Sequence, residues 1–116
     1  MAKRVLIIDD EEMVLDAVTT ILEDLGYEIT PCMNPSEGAS RAVSEPFDLI
    51  LCDLRMPQKN GAEVSAEILK QRPDAKILII TAYPNDPLAA KALASGVSGL
   101  IKKPFEIAKI LEYLKD

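Results

Sequence analysis

At 116 residues, with 48% hydrophobic and 28% charged side chains, the chain has the make-up of a globule with one core, not of a disordered or fibrous segment. Its 19 acidic against 13 basic residues give a formal charge of −6, which argues against nucleic-acid binding, since neutralising phosphates needs a basic face.

The chain opens on "MAKRVLIIDDEE", whose apolar run, Val5 to Ile8, is far shorter than the ~7–15 residues of a signal peptide or the ~20 of a membrane helix. No membrane contact is expected, and the cytoplasm is the default location. The run 4–8 reads as a strand buried on both faces, and 48–52 and 76–80 share its nearly continuous aliphatic character. A weaker strand, 28–32, carries Pro31 and belongs at an edge. The last, 98–101, is short. Cys32 and Cys52 close two of these runs and read as small, reduced, buried hydrophobes.

A helical pattern follows each strand. Residues 11–25 set Val14, Val18, Ile21, Leu22 and Leu25 on one stripe, closed by Gly26. Asn34 caps the next helix, with Pro35 at its first position and Glu37 three residues after the cap. Residues 61–71 form the third, stopped by Pro73. Asp86 and Pro87 open the fourth, which ends at Gly96, and 106–115 is the fifth, burying Ile107, Ile110, Leu111 and Leu114.

Strand and helix alternating five times predict an α/β fold: a parallel, doubly wound, flavodoxin-like sheet of order 2-1-3-4-5 with helices on both faces. One domain is expected to span residues 1–116, with no output segment after the fifth helix.

In such a sheet the carboxyl ends of the strands form the binding edge. Asp9 and Asp10 follow the first strand, Asp53 the third, Thr81 the fourth, and Lys102-Lys103-Pro104 the fifth. A bland explanation exists for "DDEE": acids at a helix start meet its dipole, and Asp10 would serve as an N-cap, worth about 1 kcal/mol. Glu11 and Glu12 are left to that role. Asp53 opens the loop "DLRMPQKN", which precedes the next helix, and caps nothing obvious. Clustered carboxylates raise one another's pKa, and a hard cation such as Mg²⁺ relieves them. Lys103 and Thr81 then serve as donors for an anion beside the metal, and a carboxylate can itself attack a phosphoryl group. The combination reads as phosphoryl transfer onto Asp53. Lys59 and Lys102 are assigned to solvent, and Tyr83 to the rim.

The pieces "VLIIDDEE", "DLILCDLRMPQKNG", "ILIITA" and "GLIKKPF", in this order, resemble the receiver domain of two-component response regulators along the whole chain. The resemblance implies that Asp53 is the phosphoacceptor and that Asp10 binds Mg²⁺ directly, with Asp9 reaching it through water. The main-chain carbonyl of Arg55 would complete the metal shell. Thr81 would be the switch hydroxyl, Ala82 its small neighbour, and Lys103 the partner of the phosphoryl oxygens, joined to Pro104 by a cis bond. Implied partners are a sensor histidine kinase or phosphotransfer protein, and a downstream effector or attached output domain. The domain would catalyse its own phosphorylation and dephosphorylation without being an enzyme in the usual sense.

Two positions depart from the pattern. Leu100 stands where the family commonly has Tyr or Phe, and Gln58 follows Pro57 where a glycine is frequent. Three rival readings fit the sequence less well. A flavin-binding electron carrier on this fold would need its phosphate in the loop that here holds four acids. A hydrolase with an aspartyl-phosphate intermediate usually has a second acid two residues after the nucleophile, where this chain has Arg55. A receiver-like interaction module that is never phosphorylated would have no use for the full set of acids, hydroxyl and lysine.

Overall fold

Aliphatic side chains that point alternately up and down from a strand need cover on both faces, and this chain supplies it with helices on each side. The computed structural model describes residues 2–104 and 106–115. Within them lie β1 (Arg4–Ile8), α1 (Glu12–Asp24), β2 (Glu28–Cys32), α2 (Pro35–Ser44), β3 (Leu49–Asp53), α3 (Gly61–Gln71), β4 (Ile77–Thr81), α4 (Pro87–Ser95), β5 (Gly99–Lys102) and α5 (Ile107–Leu114). The strands form one sheet of order β2-β1-β3-β4-β5. Every neighbouring pair is parallel, as the alternation predicts.

One face buries Leu6, Ile8, Ile50, Cys52 and Ile79 against Ala39 and Ala42 of α2, Val64 and Ile68 of α3, and Ala89 and Ala92 of α4. The other buries Val5, Ile7, Leu49, Leu51 and Ile80 against Leu15, Val18 and Leu22 of α1, and Ile110 and Leu114 of α5. Each full aliphatic side chain so buried contributes about 1.5–3 kcal/mol. Pro31 sits on β2, an outer strand paired with β1, where a missing N–H costs no ladder bond on its open side. Both cysteines are free and buried, and burial pushes the Cys52 thiol pKa up.

Three features differ from the sequence expectation. β3, β4 and β5 each begin and end one residue later than expected, so Asp53 and Thr81 are the last residues of strands and not the first of loops. The ladder carries that far because Asp53 pairs in register with Ile80, and the next amide, Leu54 N–H, donates to the Ile80 carbonyl at 3.1 Å. The buried stripe of α1 is Leu15, Val18 and Leu22; Ile21 and Leu25 are exposed. Lys59, expected in solvent, pairs with Glu67 at 2.6 Å.

The loop from β3 to α3 is held tightly. Asn60 and Glu63 form a capping box, each side chain bonding the other's backbone N–H. Gly61 lies so close that a Cβ there would overlap the Asp53 carbonyl and come within 3.0 Å of the Leu54 Cα. Gln58 has φ 72°, the left-handed region, so the glycine missing from the sequence pattern leaves a strained residue in its place. Gly61→Ala should therefore cost about 1–3 kcal/mol in urea denaturation, whereas Gln58→Gly should hold stability or raise it by up to about 1 kcal/mol. A destabilising Gln58→Gly would contradict this account of the loop.

Candidate functional site

The carboxyl ends of β1, β3, β4 and β5 bring the sequence-predicted residues to one edge. Asp9 follows β1, its N–H bonded to the Cys32 carbonyl at 3.1 Å. Asp53 and Thr81 end β3 and β4. Lys103 follows β5, its N–H bonded to the Thr81 carbonyl at 2.8 Å, and its bond to Pro104 is cis. Phe105, the end of the fourth motif, lies outside the described residues. Backbone hydrogen bonding therefore fixes these positions before any side chain is considered.

Lys103 joins the acids. Its ammonium lies 3.2 Å from Asp9 Oδ2, 3.4 Å from Asp53 Oδ1 and 2.8 Å from Glu11 Oε1. Asp53 Oδ1 also accepts from the Leu54 N–H at 2.9 Å. Burial, then the charge of Asp9, push the Asp53 pKa up to about 7; Lys103 pulls against that shift and loses. Burial also raises the Asp9 pKa, against the opposing pull of the Glu11 N–H and Lys103. For Lys103 itself, burial works to lower the pKa. The Glu11 hydrogen bond and the charges of Asp53 and Asp9 outweigh it and hold the ammonium above the ordinary lysine value.

Asp9, Asp10, Glu11 and Asp53 each offer a carboxylate oxygen, and these atoms lie within 4.8 Å of one another. The set suits a small hard cation, which prefers oxygen ligands and commonly takes one or two carboxylates plus water. Asp9 Oδ2 shows the need most clearly. It is buried and makes no regular hydrogen bond, with the Lys103 ammonium 3.2 Å away. One ammonium does not satisfy this much buried negative charge.

The acids after β1 depart from the helix-start reading. Glu11, not Asp10, is the N-cap of α1, and its side chain makes no cap bond. The cap-like bond comes from Asp9, whose Oδ1 accepts from the Glu11 N–H at 2.9 Å. Glu11 brings its carboxylate to the acid cluster and to Lys103, a placement that sequence reasoning missed because an acid before a helix already has a sufficient local explanation.

Around this centre, the Thr81 hydroxyl is buried and accepts from the Tyr83 N–H at 3.0 Å. The Arg55 side chain turns to Asp86, with bonds of 2.7 and 2.8 Å, while Asp86 also caps α4 by accepting from the Leu88 N–H at 2.9 Å. Leu100 packs against the core face that holds Ile79 and Ala89. Tyr83 and Lys102 are exposed.

The doubly wound α/β sheet thus gathers acids, a hydroxyl and a lysine at the edge where its strand order reverses. The chain matches the response regulator receiver domain over residues 5–115, and it belongs to that family. It is 31% identical to the chemotaxis protein CheY of Thermotoga maritima, a match covering 98% of this chain and 96% of that one. A CheY-like receiver domain protein from Methanospirillum hungatei superposes with a TM-score of 0.90 at 32% identity, covering 98% of this chain and 91% of the other. A response regulator from Burkholderia pseudomallei, solved with a phosphorylated aspartic acid, a calcium ion and citrate, gives a TM-score of 0.87. Its identity is 31%, over 97% of this chain and 66% of that one. Against two transcriptional regulators the chain spans 24% and 54% of their lengths. Among the described residues, no helix is long and apolar enough to cross a membrane.

The raised Asp53 pKa predicts a pH-dependent stability. Ionising a group whose folded pKa lies above its unfolded value costs the folded state, from above the ordinary 3.8 up to a full penalty beyond about 7. Without divalent cations, Asp53→Asn should melt several degrees above the parent at about pH 8, and the gain should vanish near about pH 4. An equal gain at both pH values would show that burial of the charge is not its cause.

Proposed function

We propose that the chain is a phosphoacceptor signalling domain that takes a phosphoryl group onto Asp53, with Mg²⁺, and changes a partner-binding surface in response. The observation that carries this is the buried, under-compensated Asp53 carboxylate facing Lys103 and Asp9. The phosphorylated aspartic acid and bound cation of the Burkholderia relative support it.

In the step proposed, an Asp53 carboxylate oxygen attacks phosphorus. The bond from phosphorus to the donor breaks, its electron pair leaves with the donor, and an acyl phosphate remains. Lys103 supplies positive charge to the phosphoryl oxygens. Thr81 must turn its hydroxyl from Tyr83 to reach them. Asp9, Asp10, Asp53 and the Arg55 main-chain carbonyl would hold the metal, Asp9 through water. When bound, Mg²⁺ supplies charge neutralisation to the acids and the incoming phosphoryl group. The same centre would later admit the water that hydrolyses the acyl phosphate.

The donor is a sensor histidine kinase, a phosphotransfer protein or a small phosphorylated molecule. The recipient of the signal is a separate effector or an attached output domain. We assign the domain to the cytoplasm, where such donors are made. A phosphoryl group adds about −1.5 to −2 charge, so the loops bearing Thr81 and Lys103 are the first to feel it. Leu100, already packed, has little reason to toggle, and the change is expected in residues 82–87 and α4. The face beyond includes Lys109, Glu112 and Tyr113, which a partner would meet.

Incubation with acetyl phosphate and Mg²⁺, followed by intact-mass analysis, should show one base-labile phosphoryl group per chain, and none without Mg²⁺ or in Asp53→Asn. A full phosphoryl group on Asp53→Asn would move the acceptor elsewhere. A parent chain that gains none would return the reading to an interaction module that works unphosphorylated.

A further inference from the structure

Glu11 makes the shortest of the three acid contacts to Lys103, 2.8 Å, and it is the exposed member of the set. Its side chain is 59% exposed, against 15% for Lys103 and none for Asp9. The three residues close a ring. Asp9 Oδ1 accepts from the Glu11 N–H at 2.9 Å, Asp9 Oδ2 faces the ammonium at 3.2 Å, and the ammonium donates to Glu11 Oε1. The Glu11 backbone is held as well, since its carbonyl accepts from the Leu15 N–H at 3.1 Å. An acid rooted in this way reaches over the cluster from the solvent side and draws the ammonium outward.

We propose that Glu11 is a positioning residue that holds the Lys103 ammonium at the outer edge of the acid cluster, so that an anion arriving at Asp53 must take it from Glu11. The proposal deepens the phosphoacceptor reading and rests on it. The contact to Asp53 Oδ1, 3.4 Å, is longer than a strong charge-assisted hydrogen bond. To close on a phosphoryl oxygen there, Lys103 has to lengthen its bond to Glu11. The released carboxylate faces water and is readily hydrated, so the hold is that of a partly exposed ion pair, about two- to fivefold in an equilibrium constant. Glu11 thus tunes the site and does not shut it. It also keeps Lys103 from settling wholly on Asp9 and Asp53, which the cation needs.

Beryllofluoride with Mg²⁺, a stand-in for the phosphoryl group, tests this by NMR titration of the whole chain. Glu11→Gln should bind it about two- to fivefold more tightly, and the Lys103 side-chain signals should shift in the unliganded protein. Lys103→Met should bind more weakly, and adding Glu11→Gln to Lys103→Met should change nothing further. The same gain from Glu11→Gln in the Lys103→Met background would mean simple charge repulsion of the anion, and would overturn the proposal. So would a loss of Mg²⁺ affinity greater than about tenfold on adding Glu11→Gln to Lys103→Met, which would make Glu11 a metal ligand. If Lys103→Met binds too weakly to titrate, the Lys103 signals decide: no shift in Glu11→Gln overturns the proposal. A parent chain that binds no beryllofluoride fails the phosphoacceptor reading itself, and this proposal falls with it.

Discussion

A carboxylate at the buried end of an aliphatic strand is the constraint on which the rest of this molecule turns. Asp53 closes β3 with almost no exposed surface, one residue beyond the fully buried Cys52. Removing a charge from water costs several kcal/mol unless something repays it. Here the nearest compensation is one ammonium shared among three acids. The topology creates the problem and limits the answers. Because β1, β3 and β5 run parallel, Asp9, Asp53 and Lys103 arrive at the same edge, and the loop after β3 is pressed against it by Gly61. A site built in this way concentrates buried negative charge beside a single ammonium.

The same edge connects the centre to the surface. Thr81 sits between the acids and the β4–α4 loop, with its hydroxyl engaged by the Tyr83 N–H. Farther along, Asp86 caps α4 and grips Arg55 from the loop that follows Asp53. The loops that follow β3 and β4 are therefore tied to each other and to the start of a helix. The pair is bidentate, and the Asp86 side chain is only 9% exposed, so the tie is stronger than an ordinary surface ion pair. Leu100, opposite Ile79 in the sheet, packs partly buried against the core face that holds Ala89.

Most of the architecture was legible in the sequence because its signals are collective. Five apolar runs alternating with capped helical stripes leave few topologies open, and Asn34, Asp86 and Pro31 all act as their chemistry dictates. What was missed depends on single contacts. The one-residue shift of β3 and β4 comes from ladder bonds that extend past the aliphatic run. The α1 stripe was misjudged because Ile21 and Leu25 are as apolar as Leu15, and only packing against β1 and β3 separates them. Asp9, Asp10, Asp53, Thr81 and Lys103 could be read because each ends or follows a strand. Glu11 could not, since a glutamate before a helix has an adequate local explanation, and its lysine lies 92 residues away in the chain.

The most direct measurement is the ionisation of Asp53 itself, followed through its side-chain carboxyl carbon by NMR with and without Mg²⁺. The account predicts a midpoint near 7 in the metal-free protein, with the carboxylate held ionised to much lower pH once the cation is present. A midpoint near the ordinary 3.8 that Mg²⁺ leaves unmoved would contradict it, because the buried acid would then have needed neither the cation nor the phosphoryl chemistry assigned to it.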